Sequence, residues 1–179
     1  MEKDIEQILI TSEQLQERIS QLAAEVSAEY AGKKPIFIGV LKGVLMFMGD
    51  FVKQVSEPCE IDLMRIASYR GTGSKGSVDL VMDISTDIRG RHVVILEDIF
   101  DTGRSLTYVC NHLWAMEPAS IKIVTLLDKP AKRLPEVTIK ADYIGFTVPD
   151  EFVVGYGLDY NELYRNLPYI GILSPEVYQ

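Results

Sequence analysis

Two acidic side chains stand directly before a short run of small and hydroxylated residues. Glu97 and Asp98 follow the apolar run 92–96, and the chain continues as Ile-Phe-Asp-Thr-Gly-Arg-Ser up to Ser105. In an open α/β sheet, ligands bind beyond the carboxyl ends of the strands. A helix that begins there offers free backbone N–H groups and the positive end of its dipole. The segment therefore predicts an acidic pair beside a phosphate site, as a phosphorylated sugar with vicinal hydroxyls, or Mg²⁺ chelated by it, requires.

Each residue of the stretch 101–105 has a place in that prediction. Gly103 lets the backbone approach a phosphate closely, Thr102 and Ser105 add hydroxyl donors, and the N–H of Arg104 is expected to serve the phosphate as well. An acidic pair alone, or a Thr-Gly pair alone, is equally well explained by a helix cap or a turn. Asp101 is itself compatible with the N-cap position. The joined pattern is the specific signal.

Apolar periodicity predicts the elements that position this segment. Residues 11–32 are predicted to form a helix that begins with a capping box of Thr11 and Gln14. Helices are also predicted at 44–55 and 106–116, and strands at 35–41, 60–69, 78–84, 92–96, 121–127 and 141–148. Residues 70–77 contain three glycines and two serines and are predicted to be a loop. The alternation of strands and helices predicts one α/β domain over 1–179, a mostly parallel central sheet flanked by helices. The N- and C-terminal segments are expected to form a small hood.

Charge and composition exclude several other classes. The net charge of −8 disfavours a nucleic-acid-binding surface, which needs a basic stripe. The two cysteines, Cys59 and Cys110, form no C-x-x-C pair, so a disulfide framework or a zinc site is not expected. The acidic start has no signal-peptide pattern. The longest mostly apolar run, 35–48, is too short to span a membrane, which takes about 20 apolar residues. A cytosolic protein is expected.

The segment 93–105 resembles a known signature. It has four apolar residues, two acids, two apolar residues and then D-T-G-x-S, as in the phosphoribosyl pyrophosphate (PRPP) site of type I phosphoribosyltransferases. Further segments resemble the hypoxanthine-guanine phosphoribosyltransferases, over nearly the whole chain. They are V-L-K-G-V at 40–44, A-S-Y at 67–69, L-L-D-K-P at 126–130 and F-V-V-G-Y-G-L-D-Y-N-E at 152–162.

The resemblance implies how a purine is bound. Phe152 is expected to stack on the base, Val153 to offer backbone contacts, and Lys129 to donate to a 6-oxo group. An ammonium there favours a 6-oxopurine over adenine, whose exocyclic amine is a donor. Asp159 is expected near the purine and the pyrophosphate-bound Mg²⁺, with Glu97 and Asp98 as further metal-binding residues.

The resemblance also implies the remaining roles. Lys42, Gly43 and Arg165 are expected to bind pyrophosphate, with Arg133 as a further ligand. Ser68 and Tyr69 are expected in a closing lid. Asp101 is expected beside the imidazole nitrogen of the purine as general base, a place where related regulators and adenine-specific enzymes usually lack an acid.

The implied activity is Mg²⁺-dependent transfer of the phosphoribosyl group from PRPP to hypoxanthine, guanine or both, in purine salvage, by a homodimer or homotetramer. Three alternatives stay open on the sequence alone. One is an enzyme tuned to xanthine. Another is a PRPP-sensing regulator that has lost catalysis, against which the acidic charge and the lack of spare length count. The third is a purely structural domain, which leaves four matching loops at strand ends unexplained.

Overall fold

A computed structural model describes the backbone of residues 1–71 and 74–178, and the side chains of these residues except 68–77. The strands are β1 (Ile5–Ile10), β2 (Ile36–Leu41), β3 (Glu60–Gly71), β4 (Ser74–Met82), β5 (His92–Phe100), β6 (Ser120–Asp128), β7 (Tyr143–Thr147), β8 (Val153–Val154) and β9 (Ile170–Leu173). The α-helices are α1 (Ser12–Glu29), α2 (Leu45–Val52), α3 (Arg104–Trp114) and α4 (Pro175–Tyr178). Single 3₁₀ turns occur at Glu2–Asp4 and Pro130–Lys132.

The main sheet has six strands in the order β4-β3-β2-β5-β6-β7. Neighbouring strands run parallel except β3 and β4, which form an antiparallel pair. Successive side chains of a strand point to opposite faces. Phe37 and Val94 accordingly pack with α1 and α2, whereas Ile38 and Ile95 pack with α3. The predicted α/β class is confirmed. Helices cover both faces of the sheet, which explains why β2 and β5 are continuous apolar runs.

A second, antiparallel sheet joins the two ends of the chain in the order β1-β9-β8. Ile10 pairs with Ile170, and Val153 pairs with Ile172. This sheet carries Val153 and orients the segment that contains Phe152. The predicted capping box is present, since Thr11 accepts from Gln14 N and the Gln14 side chain accepts from Thr11 N.

Two sequence predictions about strands were wrong. Residues 70–71 and 74–77 were expected in a loop, but their backbone continues β3 and β4, with Arg70 paired to Lys75. Cross-strand pairing outweighs the poor strand propensity of glycine and serine. Strand β5 was expected to end at Leu96 but runs to Phe100, because Ile99 and Phe100 pair with Leu127 and Asp128 of β6. Within the part of the chain that the structure describes, no helix is long and apolar enough to cross a membrane.

Candidate active site

The carboxyl ends of β2, β5 and β6 bring three segments together. The turn 42–44 follows β2, the loop 101–103 follows β5, and Lys129 follows β6. Glu97 and Asp98 lie within strand β5 and not beyond its end, because Glu97 still pairs with Thr125 of β6. The acidic pair is therefore held by sheet hydrogen bonds.

Two adjoining cavities open at this edge of the sheet. The first, here called the carboxylate cavity, has a volume of about 350 Å³ and is lined by Val40, Leu41, Lys42, Gly43, Ile66, Glu97, Asp98, Ser105, Asp159 and Arg165. The second, here called the loop cavity, has a volume of about 210 Å³ and is lined by Glu97, Ile99, Phe100, Asp101, Gly103, Ser105 and Leu106. Glu97 and Ser105 belong to both cavities. Most residues predicted from the signature therefore meet around one acidic side chain.

The acidic pair carries unfavourable charge. Burial raises the pKa of Glu97 well above its ordinary value, and the charges of Asp98 and Asp101 raise it further. The Glu97 Oε2 atom is buried and has no hydrogen-bond partner among the residues that the structure describes. Burial also raises the pKa of Asp98 to about 6, although hydrogen bonds, including one from Ile99 N at 2.9 Å, and the charge of Arg165 oppose this. A bound cation or hydrogen-bond donor would therefore compensate the charge of the pair and supply the missing hydrogen bond.

The loop 101–103 after β5, which was expected to form a phosphate cradle, leads directly into the start of a helix. Helix α3 begins at Arg104, with Gly103 as its N-cap at φ +84°. A side chain at Gly103 would also overlap Val137 and Phe100. Asp101 is not the N-cap; its Oδ1 atom accepts from Thr102 N at 2.5 Å, and the residue is exposed. At this helix start the N–H of Arg104 donates to Thr102 Oγ1 at 3.5 Å, and a helix N-terminus is suited to bind an anion.

The predicted cations border the carboxylate cavity, where each has an acidic partner. Lys42 Nζ lies 2.8 Å from Glu162 Oε2. Arg165 pairs with Asp159 at 2.9 Å and donates to Gly157 O at 2.7 Å, while its buried Nε has no partner. The side chain of Arg104 lines a separate groove beside Tyr108.

Arg133 does not line the carboxylate cavity, which is bordered by the other residues predicted to bind pyrophosphate. Its Nε donates to Asp101 O at 2.8 Å, and its Nη2 donates to Phe100 O at 2.9 Å and to Asp128 Oδ1 at 2.5 Å. The guanidinium stacks on the Phe100 ring, 3.0 Å from its centroid. These donors face backbone carbonyls and Asp128 and not the carboxylate cavity, and a pyrophosphate role of Arg133 stays a prediction.

Among the predicted purine-binding residues, Lys129 adjoins the end of β5. Lys129 N donates to Phe100 O at 2.9 Å. Its side chain is 8% exposed, with Nζ 2.6 Å from Glu151 O and 3.5 Å from Asp150. Phe152 stacks on Tyr178 at 5.0 Å and meets Tyr160 edge-on at 5.6 Å. Val153 is buried in β8.

The metal prediction was tested against these donors. Within the described ranges, no group of three or more His, Cys, Asp or Glu side chains is arranged to hold a metal ion. Glu97, Asp98 and Asp159 therefore form no three-carboxylate cage, although all three line the carboxylate cavity. Mg²⁺ is usually bound through one or two carboxylates together with substrate phosphates. The unpaired oxygen of Glu97 and the raised pKa of Asp98 fit a cation that arrives with its substrate.

Some contributors were missed and some predictions stay untested. Asp128 was named only within the segment L-L-D-K-P and was given no role. Its position at the end of a predicted strand could have indicated one. Glu162 and Tyr178 gave no signal, because their partners Lys42 and Phe152 are distant in sequence. The side chains of Ser68 and Tyr69 lie outside the described residues, so the lid stays a prediction.

The chain was then compared with known proteins. Residues 6–161 match the family model described as the phosphoribosyl transferase domain. The chain is 49% identical to the hypoxanthine-guanine phosphoribosyltransferase of Bacillus subtilis, over 100% of this chain and 99% of that protein. It is 51% identical to the bifunctional protein TilS/HprT of Listeria innocua, over 99% of this chain but only 27% of that longer protein.

A solved structure gives the same picture. A hypoxanthine phosphoribosyltransferase from Staphylococcus aureus superposes with a TM-score of 0.94 at 44% identity, over 100% of this chain and 97% of that one. The likeness spans both sheets and every segment of the candidate site. By family model, sequence and fold together, this chain belongs to the phosphoribosyltransferase family, among its hypoxanthine-guanine members.

Proposed function

We propose that this protein transfers the 5-phosphoribosyl group of PRPP to the 6-oxopurines hypoxanthine and guanine, with Mg²⁺, yielding the nucleotide and pyrophosphate. The observation that carries this proposal is the position of Glu97. Its carboxylate borders both the loop cavity and the carboxylate cavity. A ribose held there by its hydroxyls places its 5′-phosphate on one side and its pyrophosphate on the other.

The two ends of PRPP meet different groups. On the loop-cavity side, the backbone of 101–105 and the hydroxyls of Thr102 and Ser105 bind the 5′-phosphate. On the other side, Lys42, the Gly43 backbone and Arg165 bind pyrophosphate after exchanging their present acidic partners for it. Glu97, Asp98 and Asp159 would hold Mg²⁺, which would supply positive charge beside the departing pyrophosphate. The prediction that Arg104 contributes through its N–H is retained.

The chemical step exchanges one bond for another. The bond from the anomeric carbon to the pyrophosphate oxygen breaks, and the electron pair leaves with pyrophosphate through an oxocarbenium-like state. A ring nitrogen of the purine then bonds to that carbon. Asp101, which is exposed beside the cavity, accepts the proton displaced from the imidazole ring. Lys129 donates to the 6-oxo group, Phe152 stacks on the base, and Val153 contacts its edge through the backbone.

The surrounding elements keep the sugar from water. We propose that Ser68 and Tyr69 form a lid that closes over the site, since an oxocarbenium-like carbon is otherwise trapped by water. The small sheet of β1, β8 and β9 serves as a hood above the purine within a single domain. The free thiols of Cys59 and Cys110 are in keeping with action in the reducing cytoplasm.

We also propose that the protein works as a homodimer or homotetramer. Leu45 and Met46 on α2 are 54% and 38% exposed, whereas Phe47, Met48 and Phe51 of the same helix are buried in the core. Light scattering on the purified protein measures the state. A monomer at micromolar concentration would contradict this part of the proposal.

The first experiment is a spectrophotometric assay with PRPP and Mg²⁺ and one base at a time: hypoxanthine, guanine, xanthine or adenine. We expect turnover of hypoxanthine and guanine that a chelator abolishes and added Mg²⁺ restores. Turnover of xanthine alone would favour the xanthine enzyme. Calorimetric binding of PRPP without turnover of any base would replace the proposal by a PRPP-sensing regulator.

A further inference from the structure

The loop that carries Asp101 is held from behind by one segment. Three consecutive carbonyls accept hydrogen bonds from residues 129–134. Phe100 O accepts from Lys129 N at 2.9 Å and from Arg133 Nη2 at 2.9 Å, Asp101 O accepts from Arg133 Nε at 2.8 Å, and Thr102 O accepts from Leu134 N at 3.2 Å. Arg133 supplies the only side-chain donors among these bonds.

Peptide planarity relates the direction of these carbonyls to the direction of the N–H groups in the loop. In a trans peptide the carbonyl and the following N–H point in opposite directions. With the carbonyls of 100–102 directed at the 129–134 segment, the N–H groups of 101–103 are directed away from it. The opposite side is the loop cavity, which Asp101 and Gly103 line. Whatever fixes the carbonyls therefore aims the N–H groups.

Arg133 is itself held by two further contacts. Its carboxylate partner Asp128 lies at 2.5 Å and is 15% exposed, and the guanidinium side chain is 20% exposed. Phe100 packs under the guanidinium plane. A planar guanidinium offers several donors at fixed angles, whereas an ammonium is a compact point charge with rotatable donors. Lysine at this position keeps the charge but cannot span two carbonyls and a carboxylate in one plane.

We propose that Arg133, fixed by Asp128, is a positioning residue that orients the peptide groups of 100–102. In this role it aims the cradle N–H groups at the 5′-phosphate and places Asp101 for proton transfer, without touching substrate. The inference rests on the proposed 5′-phosphate site. It also joins two parts of the reaction, because Lys129, which reads the base, belongs to the same hydrogen-bonded segment as the phosphate loop.

The test separates this role from direct pyrophosphate binding. Titration calorimetry measures the affinity of Arg133→Lys for inosine monophosphate and, separately, for pyrophosphate with Mg²⁺. We expect the nucleotide affinity to fall at least tenfold and the pyrophosphate affinity to stay within twofold of wild type. A lysine that retains both affinities overturns the inference. A loss confined to pyrophosphate overturns it in favour of direct contact.

Further variants control for charge and folding. Arg89→Lys changes an exposed arginine paired with Glu117 at 2.9 Å and should leave both affinities unchanged. Asp128→Asn, like Arg133→Lys, should lower the affinity for inosine monophosphate. An unchanged affinity would contradict the proposal that Asp128 fixes Arg133. In Arg133→Ala, free guanidinium should restore part of the turnover, whereas an equal response of wild type would argue against specific rescue.

The comparison also distinguishes failure of the inference from failure of the proposed function. Wild type that neither binds inosine monophosphate nor turns over PRPP removes the proposed function itself. Wild type that does both, beside an Arg133→Lys variant of equal affinity and a normal melting profile, removes only the role of Arg133.

Discussion

The α-carbon of Gly157 lies against the carbonyl oxygen of Gly43, so that a side chain at position 157 would overlap that oxygen. Gly157 also has φ +101°, a region that L side chains rarely adopt. Its N–H donates to Arg165 O at 2.9 Å, and its carbonyl accepts from Arg165 Nη1 at 2.7 Å. Two glycines thus join the turn after β2 to the segment that supplies Arg165.

Gly157→Ala should therefore damage PRPP use more than it damages the fold. The added methyl group displaces the 42–44 turn, so we expect kcat/KM for PRPP to fall by about tenfold or more, equivalent to about 1.4 kcal/mol. Steady-state kinetics at saturating hypoxanthine measure this. Gly49→Ala is the matched control, since its new methyl group meets no atom within 4 Å. In helix α2 that change should stabilise by about 0.5–1 kcal/mol. Equal kinetics of the two variants would contradict the prediction.

Asp101→Asn tests the proton acceptor. The amide keeps the shape of the side chain but cannot take the purine proton, so kcat should fall by about 10²-fold or more with a small change in PRPP affinity. Steady-state kinetics together with PRPP calorimetry separate the two effects. An unchanged kcat would remove Asp101 from the mechanism.

Glu97→Gln should raise stability while lowering activity. Burial and the charges of Asp98 and Asp101 raise the pKa of Glu97, and within the described residues its Oε2 has no hydrogen-bond partner, so a carboxyl group is unfavourable here. Replacing it by an amide should raise the melting temperature of the ligand-free protein by about 2–4 °C, for about 1 kcal/mol. PRPP turnover should fall, because the ribose loses a carboxylate acceptor. Glu6→Gln, an exposed change on β1, is the control, and a lower melting temperature for Glu97→Gln would refute the idea.

Asp62 should give the protein an acid-sensitive contribution to stability. Its carboxylate, on β3, accepts from Ser85 N and Thr86 N at 2.8 Å each and so fixes the chain that leaves β4. Partial burial raises the pKa of Asp62, but hydrogen bonds from Thr86, Leu63 and Ser85 outweigh it and hold the pKa below its ordinary value of 3.8. Since the folded pKa is the lower one, the contribution is present above pH 3.8 and is lost as the pH falls through the folded pKa.

The matching variant is Asp62→Asn. It should cost about 1–3 kcal/mol at pH 7, because an amide nitrogen then faces backbone N–H donors. Urea unfolding at pH 7 and at successively lower pH should show the gap to wild type closing below pH 3.8. The exposed Asp79→Asn on β4 should show no such gap. A gap that stays constant with pH would mean that the charge of Asp62 is irrelevant.

Patterns within single segments were well predicted from the sequence, and contacts between distant segments were not. The apolar runs of β2 and β5 predicted buried parallel strands, and the acidic pair with its glycine loop predicted the centre of the site. The contacts of Arg133 were not predicted, because the sequence shows a cation but not the carbonyls of Phe100 and Asp101 that it faces. Strand β1 was not predicted, since it depends on pairing with β9 from the far end of the chain. Residues 70–71 and 74–77 were wrongly predicted to be a loop, because their composition favours one and the cross-strand pairing overrides it.

Lys129→Gln tests how the base is chosen. Losing the ammonium removes a charged donor to the 6-oxo group, which should lower kcat/KM for hypoxanthine by about 10²-fold. The KM for PRPP should change little. Lys132→Gln is the matched control, because Lys132 shares the carboxylate of Asp150 at 3.2 Å but is 52% exposed. Equal losses in both variants would point to Asp150 and not to the base.

The Lys129 ammonium donates to the carbonyl oxygen of Glu151 at 2.6 Å. A free lysine side chain loses up to about 2 kcal/mol of rotamer entropy when it is fixed in one position. Here that loss occurs when the chain folds, so it does not oppose purine binding. One of the three donors of the ammonium already binds the Glu151 carbonyl and so fixes the side chain. On the proposed function, we expect an incoming base to meet a preoriented donor, so that its capture needs no search among lysine conformers.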